Sequence, residues 1–236
     1  RVHIVFNGEI YNYRPLRAEH AAAGYPFKTE TDTEVILAAY LRDGPDCLHA
    51  LNGMFALAIW DERRSALFLA RDRMGIKPLY YYWDGRNFLF ASEIKALLTT
   101  NFVTRQVNQQ AVWDYLSFRY VPQPESIWQF IYKLPPGHYL HLTPERVDAR
   151  PVRYWDIPYP ERPEKLTDIE IDRQFSDLFL DSVKRRLIAD VPVGILLSGG
   201  LDSSSVAAAV AETHNARLSS FSVSFEGASQ IDETPY

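Results

Sequence analysis

Four prolines fall within one short stretch, residues 151–166 (PVRYWDIPYPERPEKL). Each lacks a backbone N–H and fixes its own φ, so neither a continuous helix nor a central strand can run through it. A chain interrupted in this way folds as two pieces joined by a linker. The apolar rhythm also differs on the two sides. Before the prolines, short alternating runs mix with helical ones; after them, a long helical run is followed by one continuous apolar strand. The reading sets domains at residues 1–155 and 167–236, with residues 156–166 between them.

In the first domain, Val2–Phe6 reads as a strand. Tyr13–Ala23 reads as a helix with Pro15 in its first turn and Gly24 as its stop. Thr33–Arg42 reads as a second helix, with Val35, Ile36, Ala39 and Tyr40 on one face and Gly44-Pro45 beyond its end. Met54–Asp61 with Ala66–Arg71, and Leu79–Trp83 with Asn87–Ala91, read as hairpins. Hairpins imply antiparallel sheets, and the interspersed helices make this an α+β layered sandwich. In the second domain, Thr167 or Asp168 caps a helix carrying Ile171, Phe175, Leu178, Phe179, Val183 and Leu187. A strand at Val193–Leu197, a helix at Ser203–Thr213 and a strand at Leu218–Phe225 make one βαβ unit with parallel pairing.

Composition excludes several classes. The 236 residues are 47% hydrophobic, enough for a sizeable core, and no low-complexity tract is present. A net charge of -5 with mixed signs argues against a nucleic-acid partner. No apolar run approaches the roughly 20 residues of a membrane span. The single cysteine, Cys47, allows no intrachain disulfide and suits a reducing, cytoplasmic compartment. It lies mid-chain in a helix-like segment and reads as packing. The histidines show no metal-ligand spacing; His138 and His141 fall on opposite faces of one strand. Tyr80-Tyr81-Tyr82-Trp83 reads as strand packing rather than a base-stacking platform.

The sharpest chemical signal is Ser198-Gly199-Gly200-Leu201-Asp202-Ser203-Ser204, between the apolar strand and the following helix. Ligands bind at the carboxyl ends of strands in open α/β sheets. Gly199 and Gly200 allow close backbone approach and positive φ. Successive N–H groups and the helix N-terminus favour an anion. The hydroxyls of Ser198, Ser203 and Ser204 can donate to phosphate oxygens. Asp202 repels phosphate directly and makes sense as a ligand to a bridging Mg²⁺. The pattern matches neither G-x-x-x-x-G-K-[ST] nor G-x-G-x-x-G. It resembles the signature of the ATP pyrophosphatases, which split ATP between the α- and β-phosphates. In that family the positions of Leu197 and Val223 touch the adenosine; core packing on a strand explains both nearly as well, and the two roles are compatible.

A second constellation is Phe6-Asn7-Gly8-Glu9-Ile10-Tyr11-Asn12. The Asn7 amide and the Gly8 N–H can together form an oxyanion hole, although Asn-Gly is also a common turn. Thr29–Glu34, Gly53–Asp61, Ala70–Tyr81, Ala91–Leu97, Leu134–Tyr139 and Asp190–Gly194 follow in order. Together they closely resemble the glutamine-hydrolysing asparagine synthetases over nearly the whole chain.

That resemblance implies an N-terminal-nucleophile-type glutaminase sandwich followed by the start of an α/β ATP-pyrophosphatase domain. It implies an oxyanion hole at Asn7 and Gly8, glutamine held by Glu9 and Asp32, and ATP held by Ser198–Ser204 with Leu197 and Val223. Asp202 would hold Mg²⁺. Substrates would be glutamine, aspartate and ATP, in a protein that a homodimer would suit. The family's nucleophile is an N-terminal cysteine whose own α-amino group is the base; this chain opens at Arg1 and has neither that cysteine nor the family's upstream carboxylate-binding arginine. The second acidic loop would lie beyond Tyr236, and Asp232-Glu233 matches an acidic pair of the family. The segment therefore reads as an internal piece, inactive alone. The rival readings are a relative acting on another carboxylate (β-lactam synthetase-like or pathway-specific), a tRNA-modifying ATP pyrophosphatase, and a non-catalytic module that keeps the fold.

Overall fold

The computed structural model describes residues 1–144, 147, 149–159, 165–213 and 219–223. The chain divides into two compact units, Arg1–Pro158 and Tyr159–Tyr236.

The first unit is built on two antiparallel sheets. The larger has the order β1–β2–β3–β7–β8: β1 is Val2–Ile10, β2 Gly53–Asp61, β3 Ala66–Arg71, β7 His138–Leu142 and β8 Val152–Arg153. The smaller has the order β5–β4–β6, formed by Phe88–Ala91, Tyr80–Trp83 and Ile131–Lys133 respectively. Side chains alternate between faces along a strand, and this sorts the core into layers. Leu57, Ile59, Phe68 and Ala70 face α1 (Tyr13–Ala22) and α2 (Asp32–Asp43), meeting Leu16, Val35, Ile36, Ala39 and Tyr40. Ala56, Ala58, Leu69 and Leu140 face the smaller sheet and meet Tyr81 and Leu134. On that sheet's far side, Tyr82 and Ile131 pack with Leu97 of α3 (Ile94–Leu98). The unit is thus an α/β/β/α sandwich. The tyrosine run is strand β4, its residues alternating between the two cores. A further helix, α4, covers Gln109–Phe118.

Three sequence expectations change here. The first strand does not end at Phe6 in an Asn-Gly turn; β1 runs through Asn7, Gly8 and Glu9 to Ile10. Gly8 is there for close backbone approach: a Cβ would lie 2.1 Å from the Met54 carbonyl oxygen, and one on Gly53 would lie 2.2 Å from that of Glu9. Second, α2 begins at Asp32, because the Thr31 hydroxyl caps it by accepting from the Glu34 N–H. Third, the proline-rich stretch is not all linker. Val152–Arg153 pairs with β7 as an edge strand, where a preceding proline costs no ladder bond. Residues 160–164 of that stretch lie outside the described residues.

In the second unit, α5 (Asp168–Arg186) starts at a Thr167 cap with a reciprocal Glu170 bond. Then come β9 (Gly194–Leu196), α6 (Leu201–Thr213) and β10 (Ser219–Phe221), with β9 and β10 parallel. Phe179 and Val183 of α5, and Leu187 just after it, pack on Ile195, Val206 and Val210. The strand expected to be buried is open on one face, with Leu196 78% exposed. Both helices cover the Ile195 side and, among the described residues, nothing covers the other. Leu218, Ser224, Phe225 and the Asp232-Glu233 pair lie outside the described residues.

Candidate functional site

The hydrogen-bond register of β1 fixes which amides remain open. Tyr11 N–H donates to Asn52 and Glu62 N–H donates to the Arg1 carbonyl, which makes the odd-numbered residues of β1 the hydrogen-bonded partners of β2. Even-numbered N–H groups point away from β2. Because β1 is the outer strand of its sheet, they point to an open edge. Ile10 shows this directly: its N–H donates to Asp32 Oδ2 at 3.0 Å. Gly8 lies two residues earlier in the same strand, so its N–H faces the same edge.

Asn7 and Val5 face the other way from the helices, into a cleft of about 210 Å³ between the two sheets. Its wall is apolar, made by Ala56, Ala58, Leu79 and Phe90; Asn7 and Ser92 supply its polar groups. Asn7 Nδ2 donates to Ser92 Oγ at 3.4 Å. Glu9 is half-buried opposite Met54. The structure therefore brings Asn7, Gly8, Glu9 and Asp32 to one end of one strand.

Two supports of this region carry no role in the sequence reading. Asp72 is buried and accepts from the N–H groups of Phe55, Met74, Ile76 and Lys77 at 2.9–3.1 Å. Phe55 is the cross-strand partner of Gly8. Arg71, also buried, donates to the carbonyls of Gly75, Lys77 and Leu134. Together they tie the loop after β3 to the strand that Gly8 presses against. The other support is Glu34, which holds the loop before Asp32. Burial favours its protonation, but bonds from the Thr29 hydroxyl and the Lys28 and Thr29 N–H groups outweigh that and hold its carboxyl below the usual range. The Thr31-x-x-Glu34 spacing was a legible signal for it.

Cys47 is a packing residue. It is 1% exposed among Val35, Tyr40 and Leu51, and burial pushes its thiol up to about 12, so it is not a thiolate near neutral pH.

The second site lies on the second unit alone. The loop expected over seven residues shortens to Ser198-Gly199-Gly200, and Leu201, Asp202, Ser203 and Ser204 form the first turn of α6. Its amides are not all open. Ser198 N–H donates to Ser203 Oγ at 3.2 Å, Gly200 N–H to Ser198 Oγ at 3.3 Å, and Ser204 N–H to the Gly200 carbonyl at 3.1 Å. The hydroxyls occupy these amides because each lies within one turn of them. The N–H groups of Leu201, Asp202 and Ser203, in the first helical turn, have no intrahelical acceptor and remain to face an anion. Gly199 has φ +90°, the conformation that glycine was expected to supply. Asp202 is exposed and, with Ser203 and Arg186, borders a cleft of about 510 Å³ floored by Val183, Leu187 and Val206. Leu197 extends the parallel ladder by donating to the Phe221 carbonyl. Val223 lies beyond the end of β10 rather than on it and is 73% exposed.

Comparison with known proteins places these features. Residues 1–155 match the family model described as a glutamine amidotransferase domain, and residues 174–236 match that of asparagine synthase. A putative glutamine-hydrolysing asparagine synthetase of Methanocaldococcus jannaschii is 41% identical over 99% of this chain and 44% of its own length. Asparagine synthetase 3 of Bacillus subtilis is 37% identical over 94% of this chain and 36% of its own. A Gibberella zeae protein named amidase chry2 is 38% identical over 89% of this chain and 31% of its own. The chain belongs to the glutamine amidotransferase family whose model matches residues 1–155. It spans less than half the length of these relatives. Among the described residues, no helix is long and apolar enough to cross a membrane, and no cluster of three or more metal-ligating side chains occurs.

Proposed function

We propose that the full-length protein containing this chain is a carbon–nitrogen ligase that takes ammonia from glutamine and transfers it to a carboxylate activated by ATP, with aspartate as the acceptor. The observation that carries the reading is the Gly8 N–H on the open edge of β1, beside the Asn7 amide and two residues from the clamp between Ile10 and Asp32.

In the first unit, Asn7 Nδ2 and the Gly8 N–H donate to the oxyanion that forms when the glutamine amide is attacked. Glu9 holds the glutamine, and the Asp32 carboxylate pairs with its α-ammonium group. In the second, the N–H groups of Leu201, Asp202 and Ser203, with the hydroxyls of Ser198, Ser203 and Ser204, hold ATP phosphates. Gly199 and Gly200 permit the close approach, and Leu197 and Val223 lie toward the nucleoside. One carboxylate is enough for a Mg²⁺ whose other ligands are phosphates and water, which fits the lone Asp202; bound there, the ion would neutralise charge on the departing pyrophosphate. Adenylation of the acceptor makes AMP the leaving group, and ammonia takes its place.

The test separates the two halves. In the full-length protein, Asn7→Ala lowers kcat for glutamine hydrolysis by roughly 10²–10³-fold. Asp202→Ala abolishes pyrophosphate release and leaves glutamine hydrolysis intact. Unchanged synthesis in the Asp202 variant overturns the metal role. ATP–pyrophosphate exchange across a panel of carboxylates identifies the acceptor, and exchange without aspartate dependence removes aspartate from that position.

A further inference from the structure

Thr31-Asp32-Thr33-Glu34 has the spacing of a capping box, in which the glutamate returns to the N–H of the capping threonine. Here half of that box is missing. Thr31 Oγ1 accepts from the Glu34 N–H at 3.4 Å, yet the Glu34 carboxylate does not return to Thr31. It reaches past the cap. Oε1 accepts from Lys28 N–H at 2.9 Å, and Oε2 accepts from Thr29 N–H and the Thr29 hydroxyl, both at 2.6 Å. The Thr31 N–H turns to the Thr29 hydroxyl instead. Arg17 grips the same loop from outside, donating to the Thr29 carbonyl and pairing with Glu30.

The capping geometry has a consequence for Asp32, the first residue of α2. The loop from Lys28 to Thr31 is folded back onto the helix start, which fixes the backbone of Asp32 from its N-terminal side. Its Oδ2 is held by the Ile10 N–H. Among the described residues, its Oδ1 accepts only a long bond from the Thr33 hydroxyl, at 3.4 Å, and keeps acceptor capacity.

We propose that Glu34 is a positioning residue for the glutamine site: by holding Lys28 and Thr29 it sets Asp32 so that one carboxylate oxygen is fixed on Ile10 and the other is presented to the substrate's α-ammonium group. The proposal rests on the glutaminase reading above. Glu34 touches no substrate; it acts through Asp32.

The test uses the full-length protein and two substrates, glutamine and its analogue lacking the α-amino group, 4-carbamoylbutanoate. Glu34→Gln keeps the side-chain length and gives one of its two positions an NH₂ that cannot accept from the loop. KM for glutamine rises about tenfold while kcat stays within about twofold, as for loss of a charge-assisted contact made in ground and transition states alike. With the des-amino analogue, wild type and variant have the same kcat/KM, because the ammonium group Asp32 would meet is gone. Thr29→Val removes one donor and shows the same pattern at about threefold; it carries the test if Glu34→Gln does not fold. Loss of kcat/KM to the same extent with both substrates overturns the proposal, since it marks a general structural role. An unchanged KM for glutamine in both variants also overturns it. Failure of the wild-type protein to hydrolyse glutamine is a different result and removes the glutaminase reading itself.

Discussion

Leu57 in the first unit and Leu196 in the second occupy the same kind of position, an apolar residue in a strand beside a helix layer. Leu57 is 2% exposed and Leu196 is 78% exposed. The difference runs through both units. In the first, each sheet face meets a second layer, so most alternating apolar residues find a partner, with Val5 and Trp60 left exposed. In the second, α5 and α6 cover one face of a two-stranded sheet, and Phe175, Leu178 and Leu196 remain exposed. Amphipathic spacing therefore marks a face that calls for covering; it does not say that residues within the segment cover it. A two-stranded parallel sheet has too little apolar area to bury both faces. The two candidate sites differ in the same sense. The donor at Gly8 is set by the register of a packed sheet, whereas two amides after β9, those of Ser198 and Gly200, are satisfied by nearby serine hydroxyls.

If close packing around hydrogen-bonded buried carboxylates defines the first unit, removing one such acceptor should break it. Asp72→Ala leaves the N–H groups of Phe55, Met74, Ile76 and Lys77 without their carboxylate. The expected loss is about 3–5 kcal/mol in the first unit. All five tryptophans lie within residues 1–158, so urea unfolding followed by tryptophan fluorescence reads this unit alone. A loss under about 1 kcal/mol would mean that water reaches these amides and the loop is not held as described.

A smaller effect concerns the acid limb of the same unit. The Arg63 guanidinium and N–H hold the buried Asp61 carboxyl below the usual carboxylate range, against the opposing effect of burial. A carboxylate whose folded pKa is depressed stabilises fully above its unfolded pKa of about 3.9. That contribution is lost as pH falls through this value toward the folded one. Stability of the first unit therefore declines below about pH 4, and Asp61→Asn flattens that part of the profile. An unchanged acid slope in the variant would assign the decline to other carboxylates.

Much of this was legible in the sequence because local chemistry and tertiary packing agree there. The hairpin around Asp84-Gly85 is one case: Asp84 accepts from Arg86 and Asn87 N–H and Gly85 takes φ +89°, as a turn of that composition demands. The helix faces of α1 and α2 are another. The misreadings have specific causes. Asn7-Gly8 has the composition of a turn, but the close approach of Met54 needs a glycine inside a strand, and only the cross-strand partner reveals it. The loop after β9 was read as an open set of amides, since sequence does not show that Ser203 would bond back to Ser198. Asp72 and Arg71 stood in a recognised run of residues, yet their partners are backbone groups distant along the chain, such as Leu134 and Phe55. Glu34 lay in a familiar motif and uses it differently, which spacing alone does not encode.

The smallest expected effect is the sharpest test of the contrast between the units. Leu196→Ser places a hydroxyl on the open face of β9, at a side chain that is 78% exposed. Burial is what makes a leucine stabilising, at about 25 cal/mol per Å² removed from water, and a side chain left mostly in solvent forfeits most of that. In the chain of residues 1–236, the change should cost less than about 0.5 kcal/mol, the usual range for an exposed position. Hydrogen exchange of the Ala209 and Val210 amides, buried on the opposite side of the unit, reads it without interference from the first unit. A cost above about 1 kcal/mol would mean that the face is covered in solution. Repeating the measurement at a tenfold lower protein concentration then identifies the cover: a concentration-dependent cost is self-association through this face, and a constant one is coverage within the chain.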